Sequence, residues 1–346
     1  MSPPSVTIAI PTYKRVDYLR DLLKTVATQE YDGTLQVLVL DNACDAVVAQ
    51  LVRDESEQAS VDFAYLPVPA VGLHNCRHAA ARSGTGDVLA LIDDDVLLQP
   101  GWLQSLGDAF RDPVLQLATG PIVPHYEVEP PAWLGAFWRD EAEGLSWCGF
   151  LSLLDGGPVC HDIRPELVFG ANFAVRRARV LELGGFHPDA VPWPLRRYRG
   201  DGETAFSKRL SAEGGVVRYL PGARLLHRVP AERLTPAYFQ RRSFLQGISD
   251  SFSDARRGVV PGEAAGAGGH RARRPVWQAG THKVAARLRR LLRIRGRRSH
   301  DVSGQVKEGV DRAYRDGYAY HREMLRTDAT VREWVDRQDY VDCALP

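Results

Sequence analysis

"LALIDDDVLLQPGWL" occupies residues 89–103. An apolar run ends in three consecutive aspartates, Asp93, Asp94 and Asp95. A buried strand that reaches the surface can end in a carboxylate, but three side by side repel one another and need compensation. Side chains alternate along an extended chain, so Asp93 and Asp95 are expected on one side and Asp94 on the other. A hard divalent cation, Mg²⁺ or Mn²⁺, suits such oxygen ligands and is commonly held by one or two carboxylates together with phosphate oxygens. The same residues also read as a solvated acidic turn with one aspartate as an N-cap.

The residues upstream favour the first reading. "VTIAI" (6–10), "LQVLVLDN" (35–42), "DFAYLPV" (62–68) and "DVLALI" (87–92) are short apolar runs suited to strands. "RVDYLRDLLKTVATQ" (15–29) places Leu19, Leu22, Leu23 and Val26 at helical spacing, and "GLHNCRHAAARSG" (72–84) is an alanine-rich helix candidate. Strands alternating with helices indicate an α/β fold with a mainly parallel sheet covered on both faces. Ligands bind beyond the carboxyl ends of such strands. Pro11-Thr12-Tyr13, Asp41-Asn42 and the three aspartates all stand at carboxyl ends and are expected to converge on one crevice.

Composition narrows the class. The 346 residues carry a net charge of +1, so no overall field points to nucleic acid. Five cysteines with no CxxC suggest neither a disulfide framework nor a zinc knuckle. The N-terminus has no charged stretch followed by an apolar one, and no window approaches a membrane span of about 18 apolar residues, so a cytoplasmic protein is expected.

"IAIPTYKR", "VLVLDNA", "GLHNCRHAA" and "LALIDDD", followed by "VFGANFAVRR" (168–177), "GGFHPD" (184–189), "GDGETAFSKRL" (200–210) and "ARLLHRVP" (223–230), resemble in order the family 2 glycosyltransferases of the GT-A fold. The resemblance covers about residues 5 to 250. It implies a Rossmann-like mixed sheet flanked by helices and an inverting transfer of sugar from a nucleoside diphosphate to an acceptor. By the same resemblance, Pro11, Thr12, Tyr13 and Arg15 surround nucleobase and ribose, Asp41 contacts the base, and Arg77 lies near base and diphosphate. His78 stands where the family commonly has asparagine. Asp93 and Asp94 fall on the donor side, Asp93 near ribose or metal, while Asp95 and His227 are implied metal ligands. Gly170 and Ala171 are expected to leave room for the sugar, with Asn172 close to it.

The chemistry needs a cation to neutralise the leaving diphosphate and a base to deprotonate the acceptor. The base implied is a carboxylate opening a helix. In "RGDGETAFSKRL" that is Glu203, with Asp201 as the alternative; both also suit a helix N-terminus through the macrodipole alone. A nucleotidyltransferase is the competing enzyme, but "PTYKRVDYL" lacks the glycine-rich phosphate loop it would need. A non-catalytic sugar-nucleotide-binding protein is the other alternative, disfavoured by the retention of Asp95, Glu203 and His227. The default donor base is uridine, with thymidine and guanosine next, and the acceptor is a small molecule or an envelope glycan.

The expected organisation is a nucleotide-binding half (1–121), an acceptor half (122–250), a flexible linker (251–282) and a helical C-terminal extension (283–346). Residues 122–166 hold Trp133, Trp138 and Trp147, which suit sugar stacking but more often simply pack. Arg256 to Arg298 contain 13 Lys or Arg against one acidic residue, Glu263. The stretch 283–298 reads as a basic amphipathic helix for an anionic membrane surface, or as one packed on the acidic body of the protein. "YRDGYAYHREMLR" (314–326) is expected to pack on the catalytic domain or on the second subunit of a homodimer.

Overall fold

β1 (Val6–Thr12) pairs in parallel with β2 (Leu35–Asp41) on one side and with β4 (Val88–Leu91) on the other; β2 pairs in parallel with β3 (Phe63–Pro67). Every residue of β1 and β4 is buried, as a central parallel strand covered on both faces requires. α1 (Val16–Ala27) and α3 (Leu73–Ser83) carry the chain between strands, and α1 buries the expected Leu19, Leu22, Leu23 and Val26. α2 (Ala46–Gln58) was not foreseen. It opens at Asp45, whose carboxylate accepts from the Val47 N–H, a cap worth about 1 kcal/mol.

The computed structural model describes residues 2–259 and 296–345, apart from Asp342 and Ala344. Beyond β4 run β5 (Val96–Leu98), α4 (Trp102–Ala109), β6 (Leu115–Thr119) and β7 (Ile122–Tyr126). Short strands follow: β8 (Arg139–Asp140), β9 (Ser146–Cys148), β10 (Leu153–Asp155) and β11 (His161–Asp162). The second half continues through β12 (Phe173–Arg176), α5 (Arg177–Glu182), α6 (Gly202–Ala212), β13 (Val216–Tyr219) and β14 (Leu225–Val229). Among the described residues, three helices follow: α7 (Pro236–Arg256), α8 (Gly296–Thr327) and α9 (Ala329–Asp336).

The main sheet has the order β11-β13-β6-β12-β4-β1-β2-β3, with β12 antiparallel to both its neighbours. A second sheet runs β5-β14-β7-β10-β9-β8. The architecture is therefore the mixed, parallel-rich α/β fold expected, extended by C-terminal helices. The expected boundary at residue 250 falls inside α7. The expected linker (251–282) and basic helix (283–298) lie outside the described residues except at their ends.

α8 lies along α7 so closely that two glycines are required: a Cβ on Gly317 would stand 1.9 Å from the Phe244 carbonyl oxygen, and one on Gly247 would stand 2.2 Å from that of Tyr314. Polar contacts follow the seam, with Tyr314 and Tyr318 donating to Asp250 and Asp254. α9 then packs Trp334 against Tyr198, and the Trp334 indole N–H donates to the Tyr198 carbonyl. Trp133 and Trp147 are both buried, Trp133 among Phe137 and Phe239, and so act as packing residues.

Candidate active site

The ends of β1, β2 and β4 are neighbours by register, with Thr12 opposite Asp41. The Thr12 hydroxyl donates to Asp94 Oδ2 at 2.7 Å, and Arg15 reaches across to both Asp94 Oδ1 (3.0 Å) and Asp95 Oδ2 (2.8 Å). Asp94 thus faces the β1 loop. Burial pushes its carboxyl up to about 6, the Arg15 charge opposing. Tyr13 is exposed and Pro11 is buried.

Asp93, Asp95 and His227 form the second group, with one potential ligand atom from each lying within 4.8 Å of the others. Their meeting is set by backbone pairing: β5 begins right after Asp95 and runs antiparallel to β14, with Val96 opposite His227, and the Arg228 N–H donates to the Asp95 carbonyl at 2.9 Å. Asp95 is only 2% exposed. Burial, the largest influence on it, works upward, but His227, Arg233 and Arg15 together hold it below the usual carboxylate range. Burial and then the Asp95 charge raise Asp93.

This cluster leaves polar atoms unsatisfied. Asp95 Oδ1 is buried without a hydrogen bond although His227 Nε2 stands 3.2 Å away, and His227 Nδ1 has no partner either. Cis ligands of an octahedral ion with bonds of about 2.1 Å are separated by about 3 Å. An orphaned carboxylate oxygen and an imidazole nitrogen at that spacing, beside a further carboxylate, are a donor set that fits Mg²⁺ or Mn²⁺.

A third group lies beside it. Arg77 on α3 is fully buried, and its Nη1 lies 2.8 Å from Glu203 Oε2 and 3.8 Å from Asp189 Oδ2. Glu203 Oε1 accepts from the Gly170 N–H at 3.0 Å. A Cβ on Gly170 would stand 2.1 Å from Arg77 Nη2, so this glycine makes room for the arginine that holds Glu203. Asp201 faces elsewhere: its oxygens are taken by His187 Nδ1 at 2.8 Å and by the Ser253 hydroxyl at 2.5 Å. Those two partners, against burial, hold Asp201 low.

Several expected donor residues are committed to the protein itself. Asp41 accepts from the Ala43 and Asp45 N–H groups and from the Tyr65 hydroxyl. Asn172, expected near the sugar, is 1% exposed; its oxygen accepts from the Trp102 indole and its amide donates to the Ala223 carbonyl, so the structure places it in the core. Ala171 is buried as well. His78 accepts from the Phe186 N–H through Nε2 at 2.8 Å and stacks on the Phe186 ring, away from the crevice. Arg233, His187 and Asp189 were not singled out from the sequence, although "GGFHPD" contains the last two.

The mixed, parallel-rich sheet, with a candidate cation donor set and a buried Arg–Glu pair beyond its strand ends, fits a sugar-nucleotide transferase of the GT-A class. Residues 7–154 match glycosyl transferase family 2. The succinoglycan biosynthesis protein ExoM of Rhizobium meliloti is 25% identical over 250 residues, 70% of this chain and 72% of that protein. A glucosyl-dolichyl phosphate glucuronosyltransferase of Haloferax volcanii is 24% identical over 72% of this chain and 77% of its own length. Among solved structures, the mannosyltransferase PcManGT of Pyrobaculum calidifontis, in complex with GDP-Man and Mn²⁺, has the same fold with a TM-score of 0.54 at 18% identity, covering 98% of this chain and 85% of that one. The protein is a glycosyltransferase that uses a nucleotide-sugar donor. Among the described residues, no helix is long and apolar enough to cross a membrane.

Proposed function

We propose that this chain is an inverting glycosyltransferase in which Asp93, Asp95 and His227 hold a divalent cation and Glu203 deprotonates the acceptor. One observation carries the reading. Asp93, Asp95 and His227 bring a ligand atom each within 4.8 Å of the others, and Arg77 and the Gly170 N–H hold Glu203 at the start of α6. The charges of Arg77 and Glu203 both act on Asp93, which supports reading the cation site and the candidate base as neighbours.

A bound cation would neutralise charge on the leaving diphosphate. The protein's own residues supply the rest. Arg77 and the Gly170 N–H fix the Glu203 carboxylate at the start of α6, leaving each oxygen a lone pair for the acceptor proton. Proton removal as the acceptor attacks the anomeric carbon is general base catalysis. Asp201, occupied by His187 and Ser253, positions the helix start that carries Glu203. Residues 1–121 would form the donor half and 122–250 the acceptor half.

UDP is the default donor nucleotide, with GDP and dTDP as alternatives, since the PcManGT structure contains GDP-Man. The Haloferax relative's name supports a lipid-linked or envelope glycan as acceptor, and a cytoplasmic setting fits a nucleotide-activated donor. The test compares Glu203→Gln with Asp201→Asn in donor-sugar transfer. Glu203→Gln should retain Mn²⁺–nucleotide binding and lose transfer by roughly 10²- to 10⁴-fold, with a smaller loss for Asp201→Asn. The opposite ranking would move the base to Asp201.

A further inference from the structure

Arg233, just beyond β14, touches both principal members of the cation site. Its Nη2 pairs with Asp95 Oδ2, and its Nη1 lies 3.1 Å from His227 Nε2, the nitrogen that faces Asp95 Oδ1. A nitrogen that accepts from a guanidinium has no lone pair left for a metal. Arg15 differs: it reaches Asp95 only at Oδ2 and otherwise binds Asp94, leaving the His227 side open.

The charges make the same point. Three aspartates face two arginines, so the cluster is largely neutralised before any metal arrives. A divalent ion added with both arginines in place would leave an excess of positive charge in a buried site. Arg233 has a 15% exposed side chain, so on release it can move into the crevice, where it needs an anion. A diphosphate is such an anion and pairs well with a guanidinium fork.

We propose that Arg233 is an internal counter-ion that occupies the cation site and that metal and nucleotide displace together. The cation takes Asp95 and His227, and the donor diphosphate takes the freed guanidinium. Cation alone then binds weakly, nucleotide strengthens it, and by linkage cation strengthens nucleotide by the same factor. The proposal rests on reading Asp93, Asp95 and His227 as the cation site.

The test titrates Mn²⁺ into the full-length protein, following free Mn²⁺ by electron paramagnetic resonance, first alone and then with saturating UDP or GDP. Arg233→Ala should bind Mn²⁺ alone about tenfold more tightly than wild type, and nucleotide should strengthen Mn²⁺ binding about tenfold less than in wild type, within the usual span of coupling factors. Arg15→Ala should raise the affinity for Mn²⁺ alone much less; an equal rise would reduce the effect to loss of a nearby charge and overturn the proposal. If the alanine variant fails to fold, Arg233→Gln is measured in its place. If Asp95→Ala abolishes Mn²⁺ binding while Arg233→Ala and Arg233→Gln match wild type, the counter-ion role is wrong and the metal site stands. If Asp95→Ala and His227→Ala bind Mn²⁺ as wild type does, or no Mn²⁺ binds at all, the metal site falls and the counter-ion role with it.

Discussion

Arg77 and Glu203 lie 126 residues apart in the chain and 2.8 Å apart in the fold, with the arginine fully buried. A guanidinium inside a protein is tolerable only with charged partners, and this one has Glu203 and Asp189. The pair joins α3, on the nucleotide-binding side, to α6, which opens with the candidate base.

Arg77→Met should therefore do more than remove a contact. It leaves Glu203 without its cation and Asp189 with Arg199 alone, and breaking a buried pair costs about 3–5 kcal/mol. Adding Glu203→Gln should recover part of that loss. Urea denaturation of the two single variants and the double variant checks this, and a loss below about 1 kcal/mol for Arg77→Met would show that the pair contributes little.

Asp189 provides a pH signature. Burial acts upward on it, but Arg199 at 2.8 Å and Arg77 hold its carboxyl down at about 2. A carboxyl depressed in the folded state contributes stability that is fully present above its unfolded value, near 4, and disappears as pH falls toward 2. Against an ordinary aspartate the shift corresponds to about 2 kcal/mol. Asp189→Asn should lower stability by about that amount at pH 6, and the gap between variant and wild type should close between pH 4 and pH 2. A gap of constant size down to pH 2 would mean that Asp189 works through shape and not charge.

Two glycines of α8 should respond with opposite sign. Gly317→Ala forces its methyl into the Phe244 carbonyl and should destabilise by about 1–3 kcal/mol. Gly304, on the same helix, has nothing within 4 Å of the added methyl, so Gly304→Ala should stabilise by up to about 1 kcal/mol through helix propensity. Thermal denaturation of both separates close packing from propensity.

The four parallel strands were legible because each is a short apolar run between turn residues, and the periodicity of α1 named its buried face. The three aspartates were legible because like charges at a strand end need a reason. Arg233 was not: in a chain rich in arginine, nothing local marks the one that folds back across a strand end. Asn172 was assigned to the crevice through the family resemblance of "FGANFAVRR", and nothing local in that stretch marks the bonds to Trp102 and Ala223 that bury it. The seam between α7 and α8 depends on Gly247 and Gly317, 70 positions apart, and no local pattern links them.

The register between β5 and β14 sets Asp95 beside His227, and the ladder does so regardless of how long the chain is in between. Residues 127–166 lie outside this pairing, although β8 to β10 continue the same sheet and β11 joins the main one. A change of length in the loops between those strands leaves the register of β5 and β14, and so the two ligands, as they are. A one-residue deletion inside β14 has no such freedom, because it would turn His227 to the opposite side of its sheet. The centre is thus fixed by register at two strand ends, and not by the length of chain that separates them.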